Sequence, residues 1–204
     1  MTDITTIEAL EALYDGPLTP ATVVKDSPVI TGHYKALIEA SPFVALATSG
    51  PEGLDCSPRG DRGAVVTVLD PGTLALPDRR GNNRIESLRN IVRDPRVALL
   101  FLIPGSGTTF RVNGRARISV DPDLLARFTV EGAAPRSVVL VTVETCYFQC
   151  ARAVVRSDLW NPARHVESGI LPTPGDILAA MTDGAVGGRP YDEAWPARAA
   201  ASLW

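Results

Sequence analysis

Between Asp78 and Arg84 the chain crowds three arginines, two asparagines and a glycine into seven positions, and the helical spacing Ile85, Leu88, Ile91, Val92 follows at once. Such a turn offers unpaired backbone N–H groups at a helix N-terminus beside guanidinium forks, which is the chemistry that holds a phosphate. The same residues also read as a solvated turn that caps the helix through Asn82 or Asn83. The residues alone leave both readings open.

Other candidates are fewer. Cys56, Cys146 and Cys150 are odd in number and lack metal spacing, so they read as free thiols, and no metal site is expected from them and the two histidines, His33 and His165. Arginine recurs along Phe110–Val120, where Arg111, Asn113, Arg115 and Arg117 share one face and Val112, Gly114, Ala116 and Ile118 the other.

The elements that must position these groups are mostly strands. Phe43–Thr48 is a buried strand, Ser49–Gly53 a turn, and Leu54–Pro58 its hairpin return. Ala64–Leu69 and Thr73–Leu76 flank the turn Asp70-Pro71-Gly72. The helix after the basic turn, Asn83–Arg93, stops at Asp94-Pro95 because proline disfavours helical geometry in the residue before it. Val97–Ile103 is uniformly apolar, which predicts a strand covered on both faces, and Ser137–Cys150 is a long β-branched strand. Asp121-Pro122 starts a helix over Asp123–Val130. Six or seven short strands with hairpin turns predict a closed or partly closed antiparallel barrel. Helical spacing over Thr5–Tyr14 and Thr31–Ala40, broken by prolines, predicts a helical arm over residues 1–40, and 161–204 reads as loops and a final helix.

A chain of 204 residues with mean hydropathy +0.08 suits one globular domain, and no apolar run approaches the roughly 20 residues of a membrane helix. Met1–Glu11 has no basic region, so no signal peptide and a cytoplasmic location are expected. The net charge of −3 conceals an asymmetry: Arg59–Arg117 holds eleven arginines against five acids, leaving −9 on the remainder. With a pI of about 5.4 and no aromatic stacking motif among the arginines, nucleic acid is not the expected partner.

In its order of hairpin, strand, basic turn, helix, Asp94-Pro95, apolar strand and arginine-bearing strand, the chain over Ser41–Trp160 resembles the pyridoxamine 5′-phosphate oxidase-like, FMN-binding split-barrel family. The segments that carry the resemblance are Asp94-Pro95-Arg96-Val97-Ala98-Leu99-Leu100-Phe101 and Arg111-Val112-Asn113-Gly114-Arg115-Ala116. A branch of that family is marked by turns like Pro77–Arg84 and segments like Arg156-Ser157-Asp158-Leu159-Trp160.

The resemblance implies a mainly β (α+β) split barrel over 41–160 with short helices packed on it, and 161–204 as an extension of the same domain. It implies FMN held by the turn of Leu76, Pro77, Asp78, Arg79, Arg80, Asn83 and Arg84, with Arg59, Thr109 and Arg111 as further contacts. Trp160 either covers the flavin of a partner chain or packs in the core. The implied activity is an FMN-dependent oxidoreductase, in which a homodimer exchanges hydride with a small substrate or NAD(P)H. The alternatives are a non-catalytic flavin-binding or sensing module and use of a deazaflavin. Members of the branch carry a histidine before the cysteine of the last strand, where this chain has Phe148-Gln149-Cys150.

Overall fold

The computed structural model describes residues 3–14 and 16–204; Met1 and Thr2, within the stretch on which the signal-peptide expectation rests, and Asp15, within the predicted arm, lie outside them. The arm holds α1 (Ile7–Glu11), α2 (Pro20–Val23) and α3 (Gly32–Glu39), of which only α3 buries a residue, Ile38. Thr6 and Thr31 accept hydrogen bonds from the first turns of α1 and α3 through their side chains.

Seven antiparallel strands follow: β1 (Phe43–Gly50), β2 (Gly53–Gly60), β3 (Thr67–Asp70), β4 (Thr73–Pro77), β5 (Arg96–Leu102), β6 (Thr109–Ser119) and β7 (Val138–Gln149). They pair in the order β2-β1-β5-β6-β7-β4-β3, the split barrel with packed helices that the resemblance implies. Helix α4 (Glu86–Arg93) packs on β1, β2 and β6, and α5 (Pro122–Arg127) begins at Asp121, whose side chain accepts from Leu124 N–H. Beyond β7 lie α6 (Arg152–Ser157), a 3-10 turn at Pro162–Arg164, α7 (Pro174–Met181), α8 (Gly188–Glu193) and α9 (Trp195–Ser202), more helix than the composition of that stretch predicts.

The core is built from the inward positions of the strands: Val44 and Leu46 of β1, Leu74 and Leu76 of β4, Leu99 and Phe101 of β5, Phe110 and Val112 of β6, and Val139 and Val141 of β7. Gly114 belongs to this design, because a Cβ there would come within 2.1 Å of the Thr142 carbonyl oxygen, where β6 and β7 shift register.

Two expectations need correction. β5 is not covered on both faces: Val97, Leu99 and Phe101 are buried while Leu100 is 37% exposed, so the uniform apolar run conceals an ordinary alternation with an apolar outer face. β3 starts at Thr67 rather than Ala64, because Val65 is held by its backbone N–H to the Ser41 carbonyl instead of to a ladder partner.

Candidate functional site

β2 and β4 lie far apart in the sheet order, yet the curl of the sheet brings their C-terminal ends together. Two ion pairs join them. Arg59, on β2, donates through Nη1 to Asp78 just past β4 at 2.7 Å, and Arg79 meets Asp61 just past β2 at 2.8 Å. All four side chains are largely shielded from water, so each pair needs its partner to offset desolvation. Arg79 also donates to the Phe128 carbonyl at 2.5 Å.

Around these pairs opens a cleft of 1440 Å³, lined by β2, the turn after β4, the first turn of α4 and residues 134–137. Seven arginines face it against four carboxylates, a surface suited to an anion. Arg80 and Arg136 form no ion pair among the described residues, and Arg84 pairs only with Glu86, at 3.0 Å, while 75% exposed.

The turn itself explains why the helix starts late. Asn83 sits at φ +61°, in the left-handed region, so α4 begins at Glu86 rather than at Asn83. Neither asparagine caps it: Asn82 accepts from the backbone N–H of Arg84, and Asn83 accepts from Arg136 Nη1 at 3.0 Å. Ile85 stands at the N-cap with no side-chain hydrogen bond, leaving the first N–H groups of α4 at the cleft. The Glu86 carboxyl, at the first position of the helix, is held below its ordinary value by its own backbone N–H and by Arg84.

A hydrogen-bonded group forms the inner wall. Ser87 Oγ donates to Asp55 at 2.5 Å and lies 2.9 Å from Ser57 Oγ, and Arg59 Nε donates to Ser57 at 3.2 Å. These residues fix the orientation of Arg59. One signal in the sequence could have found them, the alternation that places Asp55, Ser57 and Arg59 on one face of β2.

The segment Trp195–Trp204 supplies the remaining wall. The Trp204 ring lies under the guanidinium groups of Arg62, 4.9 Å away, and Arg79, 5.4 Å away, and Arg80 Nη1 donates to the Ala201 carbonyl at 3.5 Å. The indole Nε1–H is buried and has no acceptor among the described residues. Cation–π contacts contribute roughly 0.5–1 kcal/mol each at exposed sites. A buried unpaired N–H costs about 1–3 kcal/mol, so the two effects nearly cancel. Neither Arg62 nor Trp204 was expected at the site.

Arg59, Leu76, Pro77, Asp78, Arg79, Arg80, Asn83 and Arg84 thus line one cleft. Thr109, Arg111 and Trp160 do not line it. Trp160 packs at the β5–β6 turn, donating through Nε1 to the Ser106 carbonyl at 2.7 Å. Thr109 and Arg111 lie on the outer face of the sheet, where Thr109 pairs with Gln149 and Pro58, Ala45, Leu100, Arg111 and Tyr147 form a row across five strands. Cys146 is buried, while Cys56 and Cys150 are exposed, and no disulfide links them. Among the described residues no group of His, Cys, Asp or Glu could hold a metal ion, and no helix is long and apolar enough to cross a membrane.

Residues 30–150 match the family described as Pyridoxamine 5′-phosphate oxidase. No curated protein matches the chain. Solved structures similar to it include HupZ of Group A Streptococcus, at 20% identity over 59% of this chain and 94% of that one, with a TM-score of 0.49. A candidate pyridoxamine 5′-phosphate oxidase of Lactobacillus delbrueckii shows 27% identity over 59% and 95% of the two chains, with a TM-score of 0.48. The FAD binding protein of Mycobacterium smegmatis shows 13% identity over 60% and 97%, with a TM-score of 0.42.

Proposed function

The chain belongs to the pyridoxamine 5′-phosphate oxidase family, a flavoprotein-type fold, and on that premise we propose that it binds FMN in the arginine-lined cleft and serves as an FMN-dependent oxidoreductase. The observation that carries the reading is the uncapped N-terminus of α4, opening beside Arg80 and Arg84 onto the cleft. Backbone donors and guanidinium forks of this kind fit a phosphate monoester.

In this reading Arg80, Asn83 and Arg84 donate to the phosphate, while Arg59 and Arg79, tied to Asp78 and Asp61, hold the turn in place and add positive charge. The β4 residues Leu76 and Pro77, both buried, form the base of the turn. Bound flavin supplies the hydride chemistry at N5, toward a small substrate or NAD(P)H; the protein orients it and excludes water.

A symmetric homodimer completes the site. The outer face of β1 and β5 presents Phe43, Ala45, Leu100 and Leu102 to solvent or half-covered, an apolar surface that a second copy would bury. The same pairing would carry Thr109, Arg111 and Trp160 of one protomer toward the cleft of its partner. The deciding test is the absorbance spectrum of the purified protein: a yellow protein whose released chromophore co-migrates with FMN supports the reading, and a colourless one that takes up no added FMN defeats it. Oxidation of NADH or NADPH by the loaded protein separates an enzyme from a flavin-binding or sensing module.

A further inference from the structure

We propose that the segment Trp195–Trp204 is a displaceable occupant of the cleft, competing with a phosphate-bearing ligand for Arg62, Arg79 and Arg80. The inference rests on the phosphate reading of the cleft given above. The segment lies outside the residues that match the family, 30–150.

Among the described residues, the hydrogen bond and cation–π contacts that tie Ala201 and Trp204 to the barrel are all made to arginines of the cleft. The Trp204 ring lies against Arg62 and Arg79, and the Ala201 carbonyl takes the Arg80 donor. An anion entering the cleft offers Arg80, which has no ion pair among the described residues, a stronger, charge-assisted partner, and its charge is favoured by the neighbouring Arg62 and Arg79, which keep their pairs with Glu131 and Asp61. The docked state also carries its own opposition, because the indole N–H is buried with no acceptor and regains water when the ring leaves. Helix α9 buries no residue of its own, so its release exposes little apolar surface.

The near end is held differently. Arg198 donates to the Tyr191 carbonyl at 2.9 Å and its guanidinium lies 4.0 Å from the Tyr191 ring. The segment therefore stays tethered to α8 when Trp204 lifts away. Docked and undocked forms of one segment then compete with the ligand, and the apparent affinity is reduced by the fraction of protein that is undocked.

Two substitutions at one position should act in opposite directions. Trp204→Ala removes the ring and should tighten binding of FMN, and of inorganic pyrophosphate as a flavin-free probe, by about 3- to 10-fold. Trp204→Phe keeps a ring against the arginines but deletes the unpaired donor, so it should dock more firmly and bind both probes more weakly. In ¹⁵N-labelled protein the Trp204 indole N–H, identified by its absence in Trp204→Phe, should exchange slowly with water and speed up when either probe saturates the cleft. Equal or weaker binding by Trp204→Ala, or an indole signal indifferent to a saturating probe, overturns the proposal. Binding of pyrophosphate but not FMN, with the opposite shifts intact, would defeat the flavin reading and leave this one standing; binding of neither probe by any form defeats both.

Discussion

Nε and Nη2 of Arg79 both lie 2.8 Å from Oδ2 of Asp61, with the two side chains only 15% and 7% exposed. With Nη1 on the Phe128 carbonyl, this guanidinium is bound on both sides. Asp61→Asn leaves that charge buried without its partner and should destabilise the fold by about 3 kcal/mol. Arg62→Ala breaks a pair with Glu131 whose side chains are 66% and 59% exposed, and should cost under ~1 kcal/mol. Urea denaturation of the two variants checks the contrast; equal midpoints would mean that the Asp61 pair is solvated.

Arg84 is the most exposed arginine of the basic turn that forms an ion pair. If it holds the ligand phosphate, Arg84→Ala should weaken FMN by about 1.5 kcal/mol, the low end for a charge-assisted contact, and leave riboflavin binding unchanged. Equal losses for both flavins would remove Arg84 from the phosphate site.

Leu100 stands in the middle of the outer row of the sheet. Leu100→Arg should leave the barrel folded by circular dichroism, because its neighbours Leu99 and Phe101 carry the core. It should convert the protein to a monomer by light scattering and lower FMN affinity with it. A wild-type monomer that retains FMN would refute the dimeric site.

Burial, with the Asp26 carboxylate as the lesser cause, pushes the Cys146 thiol up to about 11 from the ordinary 9.0. The folded chain keeps a proton that the unfolded chain gives up, so the stabilising contribution is whole below pH 9 and is lost as the pH rises toward 11. Stability measured from pH 8 to 11 should fall over that window, and less steeply in Cys146→Ala. At pH 8 an alkylating reagent should modify Cys56 and Cys150 and leave Cys146 intact.

Gln149 pairs with Thr109 at the edge of the outer face, where the resemblance places a histidine. Glutamine shuttles no proton near neutral pH, whereas histidine can. Gln149→His should therefore speed flavin turnover with NADPH at constant FMN affinity; no gain would make Gln149 a structural residue.

The strands were legible in the sequence wherever β-branched runs met proline or glycine turns, and the basic turn stood out by charge density alone. Which of its arginines are available was not legible. Asp61 lies 18 positions from Arg79, and only the curl of the sheet makes them neighbours. The position of Trp204 was equally hidden, since residues 161–204 have no apolar period that names a partner. The outer face of β5 was misread because an apolar run looks the same in sequence whether its second face is covered or left exposed, as at Leu100.

The paired ends of β2 and β4 also set when the cleft can exist. Four strands, β1, β5, β6 and β7, separate them in the sheet, so Arg59 meets Asp78 only after the whole curl has closed. We expect the cleft to be among the last parts to form as the chain folds, since non-local pairing waits on loop closure. Recognition of a ligand there would certify a finished barrel, and each bound molecule would draw unfolded chains toward that state.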